Sequence, residues 1–138
     1  DEPVTRKREI AAAGRHVLLA EDSPDLEALM KFYLDKEGLH IDVAHNGIEA
    51  VAMATAKLYD VILMDVQMPL LDGLEATRRL RQNGYPNPVI ALTAHALPED
   101  VNKSLQAGCN AHLSKPVDRK ELLSCLRRFI NGETVGSK

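Results

Sequence analysis

The amino-acid sequence predicts an α/β fold: one doubly wound parallel sheet with helices on both faces. Two features point there. Short apolar runs recur five times, at residues 17–20, 41–44, 61–64, 89–92 and 111–114, and helical patterns fill the gaps between them. A strand, a crossover helix and a second strand in one sheet place the two strands parallel and wind them right-handed. The 138 residues suit one domain with one core, and 45% apolar with 27% charged residues is ordinary for a globular chain.

Taken in order, residues 1–14 read as a linker carrying the basic run Arg6-Lys7-Arg8, with some helical character at residues 10–13. A run of three basic residues is the usual composition of a solvated face. After the first strand, Ser23 caps a helix with Pro24 at its first position and Gly38 past its end. Leu26, Leu29, Met30, Tyr33 and Leu34 fall on the stripe expected of its buried face. Asn46 with Glu49, Asp72 with Glu75 and Asp118 with Glu121 repeat one device, a short polar cap followed three residues later by Glu. Pro98 opens the fourth helix and Gly108 closes it, and the fifth carries Leu122, Leu126, Phe129 and Ile130 on one stripe. Residues 132–138 read as a flexible tail.

The first, third and fourth strands are nearly continuous apolar runs, as strands buried on both faces must be. The second alternates and the fifth is short and mixed, so these two are expected at the edges. The strand order 2-1-3-4-5, flavodoxin-like, satisfies that pattern.

Charge and composition exclude several classes. A net charge of −3 and a pI near 5.9 give no general attraction to nucleic acid. No run approaches the ~18 apolar residues of a membrane span, and no signal-peptide pattern opens the chain. Cys109 and Cys125 lack metal-ligand spacing and read as buried or incidental thiols, which agrees with a cytoplasmic, reducing setting. The first residue is Asp rather than Met, as expected of a processed product or a piece of a longer protein.

Open α/β sheets bind ligands outside the carboxyl ends of their strands. There stand Glu21-Asp22 after the first strand, Asp65 after the third, Thr93 after the fourth and Lys115-Pro116 after the fifth. Singly, each has a plain structural role: acids at a helix start, a loop acid, a strand-end β-branched residue, a surface lysine. Together they put three carboxylates, a hydroxyl and an ammonium into one small region. At ~4 Å and an effective dielectric of about 20, like charges repel by on the order of 4 kcal/mol per pair, so the cluster needs a cation or must hold protons. Hard oxygen ligands suit Mg²⁺. A cation and a lysine around a free carboxylate are what phosphoryl transfer requires, with the aspartate as nucleophile and Thr93 as hydrogen-bond donor to a phosphoryl oxygen.

The segments Val17-Leu18-Leu19-Ala20-Glu21-Asp22, Leu63-Met64-Asp65-Val66-Gln67-Met68-Pro69, Asp72-Gly73, Ala91-Leu92-Thr93-Ala94 and Lys115-Pro116 resemble those of response-regulator receiver domains, over residues 15–131. The wording around residues 64–78 and 90–97 looks most like receivers of hybrid sensor histidine kinases. The resemblance implies that Asp65 takes a phosphoryl group from a phosphohistidine on a sensor histidine kinase or a histidine phosphotransfer domain. It implies Mg²⁺, with Mn²⁺ as an acceptable substitute, on Asp22, Asp65 and the carbonyl of Gln67, with Glu21 acting through water. Lys115 and the backbone amides of Val66 and Ala94 would face the phosphate. Thr93 would swing toward it and couple to the face of the fourth helix, fifth strand and fifth helix, and the Lys115–Pro116 bond would be cis. His112 stands where the family usually has Tyr or Phe, the partner of the threonine. Gln67 and His95 stand where the family controls access of water to the acyl phosphate.

Other functions fit less well. Aspartyl phosphatases resembling haloacid dehalogenases want a second Asp two residues after the first, and Gln67 occupies that place. A flavin or nucleotide module wants a glycine loop where this chain has Glu21-Asp22. A docking module that is never phosphorylated would not need the complete acid, threonine and lysine set. Whether the chain is a stand-alone regulator or part of a kinase stays open on the sequence, although no DNA-binding segment follows residue 131.

Overall fold

The computed structural model describes residues 15–95 and 97–131; the expected linker, its helical residues 10–13 and the tail at 132–138 lie outside them. The chain alternates β1 (His16–Ala20), α1 (Pro24–Asp35), β2 (His40–Ala44), α2 (Gly47–Ala56), β3 (Val61–Asp65), α3 (Gly73–Gln82), β4 (Val89–Thr93), α4 (Pro98–Ala107), β5 (Ala111–Ser114) and α5 (Arg119–Ile130). The five strands form one parallel sheet in the order β2-β1-β3-β4-β5. Its edges are the two strands whose composition marked them.

Alternation along each strand divides the core in two. Val17, Leu19, Leu63, Ile90 and Leu92 pack with Met30, Leu34, Leu122 and Leu126 of α1 and α5. Leu18, Ala20, Ile62, Met64 and Ala91 pack with Ala50, Ala76 and Leu80 of α2 and α3. Both cysteines are buried, and burial pushes the Cys125 thiol up to about 11. Leu29 departs from expectation: it is 41% exposed, because Leu26, Met30, Tyr33 and Leu34 turn α1 toward the sheet and leave Leu29 on its flank.

The helix starts follow their sequence signals. Ser23, Asn46, Asp72 and Asp118 each accept the backbone N–H three residues on. Gly38 and Gly108 follow α1 and α4 in the left-handed conformation, at φ 79° and 112°. The Lys115–Pro116 bond is cis.

The amino-terminal edge of the sheet is tied by a polar network that the sequence did not disclose. The Tyr59 phenol, 2% exposed, donates to Asp42 at 2.7 Å, and the Tyr85 phenol and the Asn87 amide both donate to the Tyr59 carbonyl. The Tyr59 bond and Lys57 hold the Asp42 carboxyl below its usual value against a smaller opposing effect of burial. Arg81 donates to the carbonyls of Gly108, Tyr85 and Asn87 and to Asn110 Oδ1, all within 3.0 Å, and so joins α3 to the turns before β4 and β5. His16 and His40, which look scattered in sequence, are register partners on β1 and β2, with stacked rings 4.9 Å apart.

Charge-assisted bonds to partly buried carbonyls are the stronger kind, so Arg81→Ala should lower stability by about 2–4 kcal/mol in urea denaturation. A loss under ~0.5 kcal/mol would show that water replaces the guanidinium without penalty.

Candidate functional site

Parallel strands end on one edge, and the chain places its acids there. Glu21 follows β1 and is fully buried, with its N–H on the Ala44 carbonyl at 2.9 Å. Its Oε2 accepts the Ser23 N–H at 3.1 Å, whereas Oε1 has no hydrogen bond and only the Lys115 ammonium, 3.4 Å away, as an ion-pair partner. Asp65 ends β3 and is 2% exposed. Its Oδ2 lies 3.0 Å from Lys115 Nζ, and its Oδ1 accepts the Gln67 N–H at 3.1 Å. Lys115 is positioned by its own N–H, which donates to the Thr93 carbonyl at 2.7 Å. Asp22 is exposed and opens onto a cleft of about 650 Å³ that also takes in Gln67, Met68 and Arg78.

Glu21, Asp22 and Asp65 each offer an oxygen, all within 4.8 Å of one another. Three carboxylates against one ammonium leave two negative charges uncompensated when all are ionised. Burial, reinforced by the Asp65 charge, raises the Glu21 carboxyl above its usual value against the opposing Ser23 bond and Lys115. Burial works against the Lys115 ammonium, but the Asp65 and Glu21 carboxylates outweigh it and raise its pKa. Excess negative charge, an all-oxygen donor set and a buried oxygen without a hydrogen bond fit a hard divalent cation.

Not every expected contact is made. Thr93 Oγ1 donates to the His95 carbonyl at 2.7 Å and accepts the His95 N–H at 3.0 Å, so the hydroxyl is committed to its own loop. The Val66 amide, expected to face a phosphate, donates instead to the Leu92 carbonyl at 2.9 Å, which extends the ladder between β3 and β4. The amide that addresses Asp65 is that of Gln67. Gln67, Ala94 and His95 are exposed at the rim. His112 is half-buried on β5 and lines, with Thr93, Val101 and Ser104, a cavity of about 90 Å³.

Sequence reasoning overlooked how closely the backbone is packed beneath the site. A Cβ on Gly73 would lie 2.1 Å from the Asp65 carbonyl oxygen, so α3 starts against the end of β3 and only glycine fits. The only signal available in the sequence was a glycine directly after the Asp72 cap.

The chain belongs to the response regulator receiver family, whose description, "Response regulator receiver domain", matches residues 17–127. It is 35% identical to "Probable histidine kinase 2" of Oryza sativa, over 87% of this chain and 13% of that protein, so it spans only a small part of that relative. It is 38% identical to an uncharacterized 14.6 kDa protein of Leptolyngbya boryana, over 85% of this chain and 91% of that one. Among solved structures it resembles the receiver domain of sensor histidine kinase PA1611 from Pseudomonas aeruginosa, described with a magnesium ion coordinated in the active-site cleft, at 44% identity and a TM-score of 0.80 over 86% of this chain and 99% of that one. It also resembles the Saccharomyces cerevisiae complex of the phosphotransfer protein Ypd1 with the receiver domain of Ssk1, at 32% identity and a TM-score of 0.81 over 85% and 89% of the two chains. Among the described residues no helix is long and apolar enough to cross a membrane.

The raised Glu21 carboxyl has a consequence for stability. Between its ordinary value of 4.5 and its raised folded value, the folded state holds a proton that the unfolded chain releases. The contribution of neutral Glu21 is therefore full below 4.5 and is lost as pH rises through the folded value. In metal-free protein, wild type should lose stability relative to Glu21→Gln over that window. Mg²⁺ should remove the difference in wild type. Parallel pH–stability curves for the two proteins would contradict this.

Proposed function

We propose that this chain is a phosphoacceptor switch that takes a phosphoryl group from phosphohistidine onto Asp65. The observation that carries the proposal is the Lys115 ammonium 3.0 Å from Oδ2 of a buried aspartate whose neighbours are two further carboxylates. Asp22, Asp65 and the Gln67 carbonyl would hold Mg²⁺ directly and Glu21 would hold it through water; a magnesium ion in the cleft of a similar receiver domain supports a magnesium site here. When bound, the cation neutralises charge on the transferring oxygens and accounts for the two negative charges the lysine leaves.

An Asp65 carboxylate oxygen attacks phosphorus in line, the P–N bond to the donor histidine breaks, and the imidazole leaves with the electron pair. Lys115 stays paired with the developing charge. The Ala94 amide, and the Gln67 amide that now donates to Asp65 Oδ1, would donate to phosphoryl oxygens. Thr93 must give up its donated bond to the His95 carbonyl to donate to the phosphate, so the phosphoryl contact competes with an existing one. That competition is the differential affinity a two-state switch needs. His112 borders the cavity beside Thr93, where a ring can follow the threonine inward and alter the face of α4, β5 and α5. Gln67 and His95, exposed at the rim, would set the lifetime of the acyl phosphate.

The donor would be a histidine kinase or a phosphotransfer domain, as the yeast complex suggests. The kinases matched only over a small part of their length favour a receiver within a longer, cytoplasmic signalling chain. A stand-alone regulator is the alternative, since the uncharacterized 14.6 kDa Leptolyngbya relative is matched over 91% of its length.

Incubation with acetyl phosphate and Mg²⁺ should give a single phosphoryl adduct by intact mass, absent without the metal and in Asp65→Asn. No adduct from either acetyl phosphate or a phosphohistidine donor would sink the proposal. His112 lines its cavity together with Thr93, His95, Asp100 and Lys103. His112→Phe should therefore change how strongly phosphorylation couples to partner binding; unchanged coupling would rule His112 out as the switch.

A further inference from the structure

The loop from Val66 to Asp72 carries the Gln67 amide and carbonyl used above, and the fold grips it from two sides. Gly73 opens α3 against the Asp65 carbonyl. On the other side, Gly47 opens α2 against the same loop: a Cβ there would lie 2.0 Å from the Leu71 carbonyl oxygen and 2.8 Å from Leu71 Cβ. Gly47 does not have a positive φ, so what excludes a side chain is space rather than conformation. Both glycines follow a capping residue, Asn46 and Asp72. The N-terminal turns of two helices thus close on one loop.

The loop is strained between these grips. Leu70 has φ 69°, a left-handed conformation that a leucine holds only where its surroundings impose it. Its side chain is 77% exposed and supplies little packing of its own. The restraint lies in the backbone: Leu71 N–H donates to the Pro69 carbonyl at 2.7 Å, Gly73 N–H donates to the Val66 carbonyl at 2.9 Å, and the Leu71 carbonyl rests on Gly47.

We infer that the N-terminal turn of α2 is a buttress for the acceptor loop, with Gly47 as a positioning residue for metal binding and phosphoryl transfer at Asp65. This rests on the function proposed above. A methyl group on Gly47 must open a 2.0 Å gap to the 3.4 Å or more of an ordinary contact, a shift of about 1.4 Å divided between helix and loop. Mg²⁺ demands near-ideal octahedral geometry, so a displaced Gln67 carbonyl is poorly tolerated. Gly47 touches none of the reacting groups and acts only through the loop.

The test measures Mg²⁺ affinity by calorimetry, and the half-saturating Mg²⁺ and limiting rate of phosphorylation by acetyl phosphate. Wild type is compared with Gly47→Ala and with Ala54→Gly, which loosens the same helix about 10 Å farther along. Gly47→Ala should weaken Mg²⁺ binding by about ten- to a hundredfold and raise half-saturating Mg²⁺ in step, while Ala54→Gly leaves both unchanged. Equal Mg²⁺ affinity in Gly47→Ala and wild type overturns the inference, as does an equal effect of Ala54→Gly. Should Gly47→Ala fail to fold, Gly47→Ala/Leu70→Gly lets the loop retreat without strain and should fold with weakened Mg²⁺ binding. If neither folds, the contact serves the fold rather than the site and the inference is overturned. Wild type that binds Mg²⁺ but takes up no phosphoryl group defeats the proposed function alone, and the Mg²⁺ affinities still decide the buttress.

Discussion

Two buried carboxylates, Glu21 and Asp65, sit beside one ammonium at the end of a parallel sheet, and the remainder of the molecule is arranged around holding them there. Left to themselves such groups separate or take up protons. Here separation is blocked because each lies at the end of a strand buried on both faces, and α1, α5, α2 and α3 lock those strands from above and below. Lys115 compensates part of the charge, and its own backbone is hydrogen-bonded to Thr93. The residual negative charge fits a divalent cation and, with it, a phosphoryl group. The raised Glu21 carboxyl is the mark of that unfinished neutralisation.

The groups that would read a phosphorylated Asp65 are already in use. Thr93 is bonded twice to His95, and the Val66 amide is spent on the sheet. Among the described residues, the Gln67 amide is the backbone donor to the acceptor, beside the Lys115 ammonium. On the function proposed above, a phosphoryl group would have to win Thr93 away from a competing contact rather than find it waiting. The loop after β3 has the opposite character. Two helix starts confine it and a left-handed leucine strains it, which suits a segment that must offer a carbonyl at a set position.

At the opposite edge of the sheet the polar groups serve architecture. Arg81 gathers carbonyls from two turns, and the buried Tyr59 and Tyr85, with Asn87, satisfy one another and the partly exposed Asp42. Unpaired, each of these groups would cost about 1–3 kcal/mol, so the network rigidifies the end of the sheet away from the site.

Much of this was present in the amino-acid order. Apolar runs announced the strands, alternation marked β2 and a short, mixed run marked β5 as edges, and Ser23, Asn46, Asp72 and Asp118 announced the helix starts. The topology then required Glu21, Asp22, Asp65, Thr93 and Lys115 to converge, because parallel strands all end on one side. These are local signals of period and capping, which depend on near neighbours in the chain. Tertiary structure decided what depends on distant ones. Leu29 belongs to an apolar stripe but lies outside the contact of α1 with the sheet. The Val66 amide was lost to a neighbouring strand, His16 met His40 only through register, and Gly47 had to be glycine because the carbonyl of a residue 24 positions away rests on it. Such facts arise from close packing between segments, and no local pattern in the sequence encodes where a remote carbonyl will come to lie.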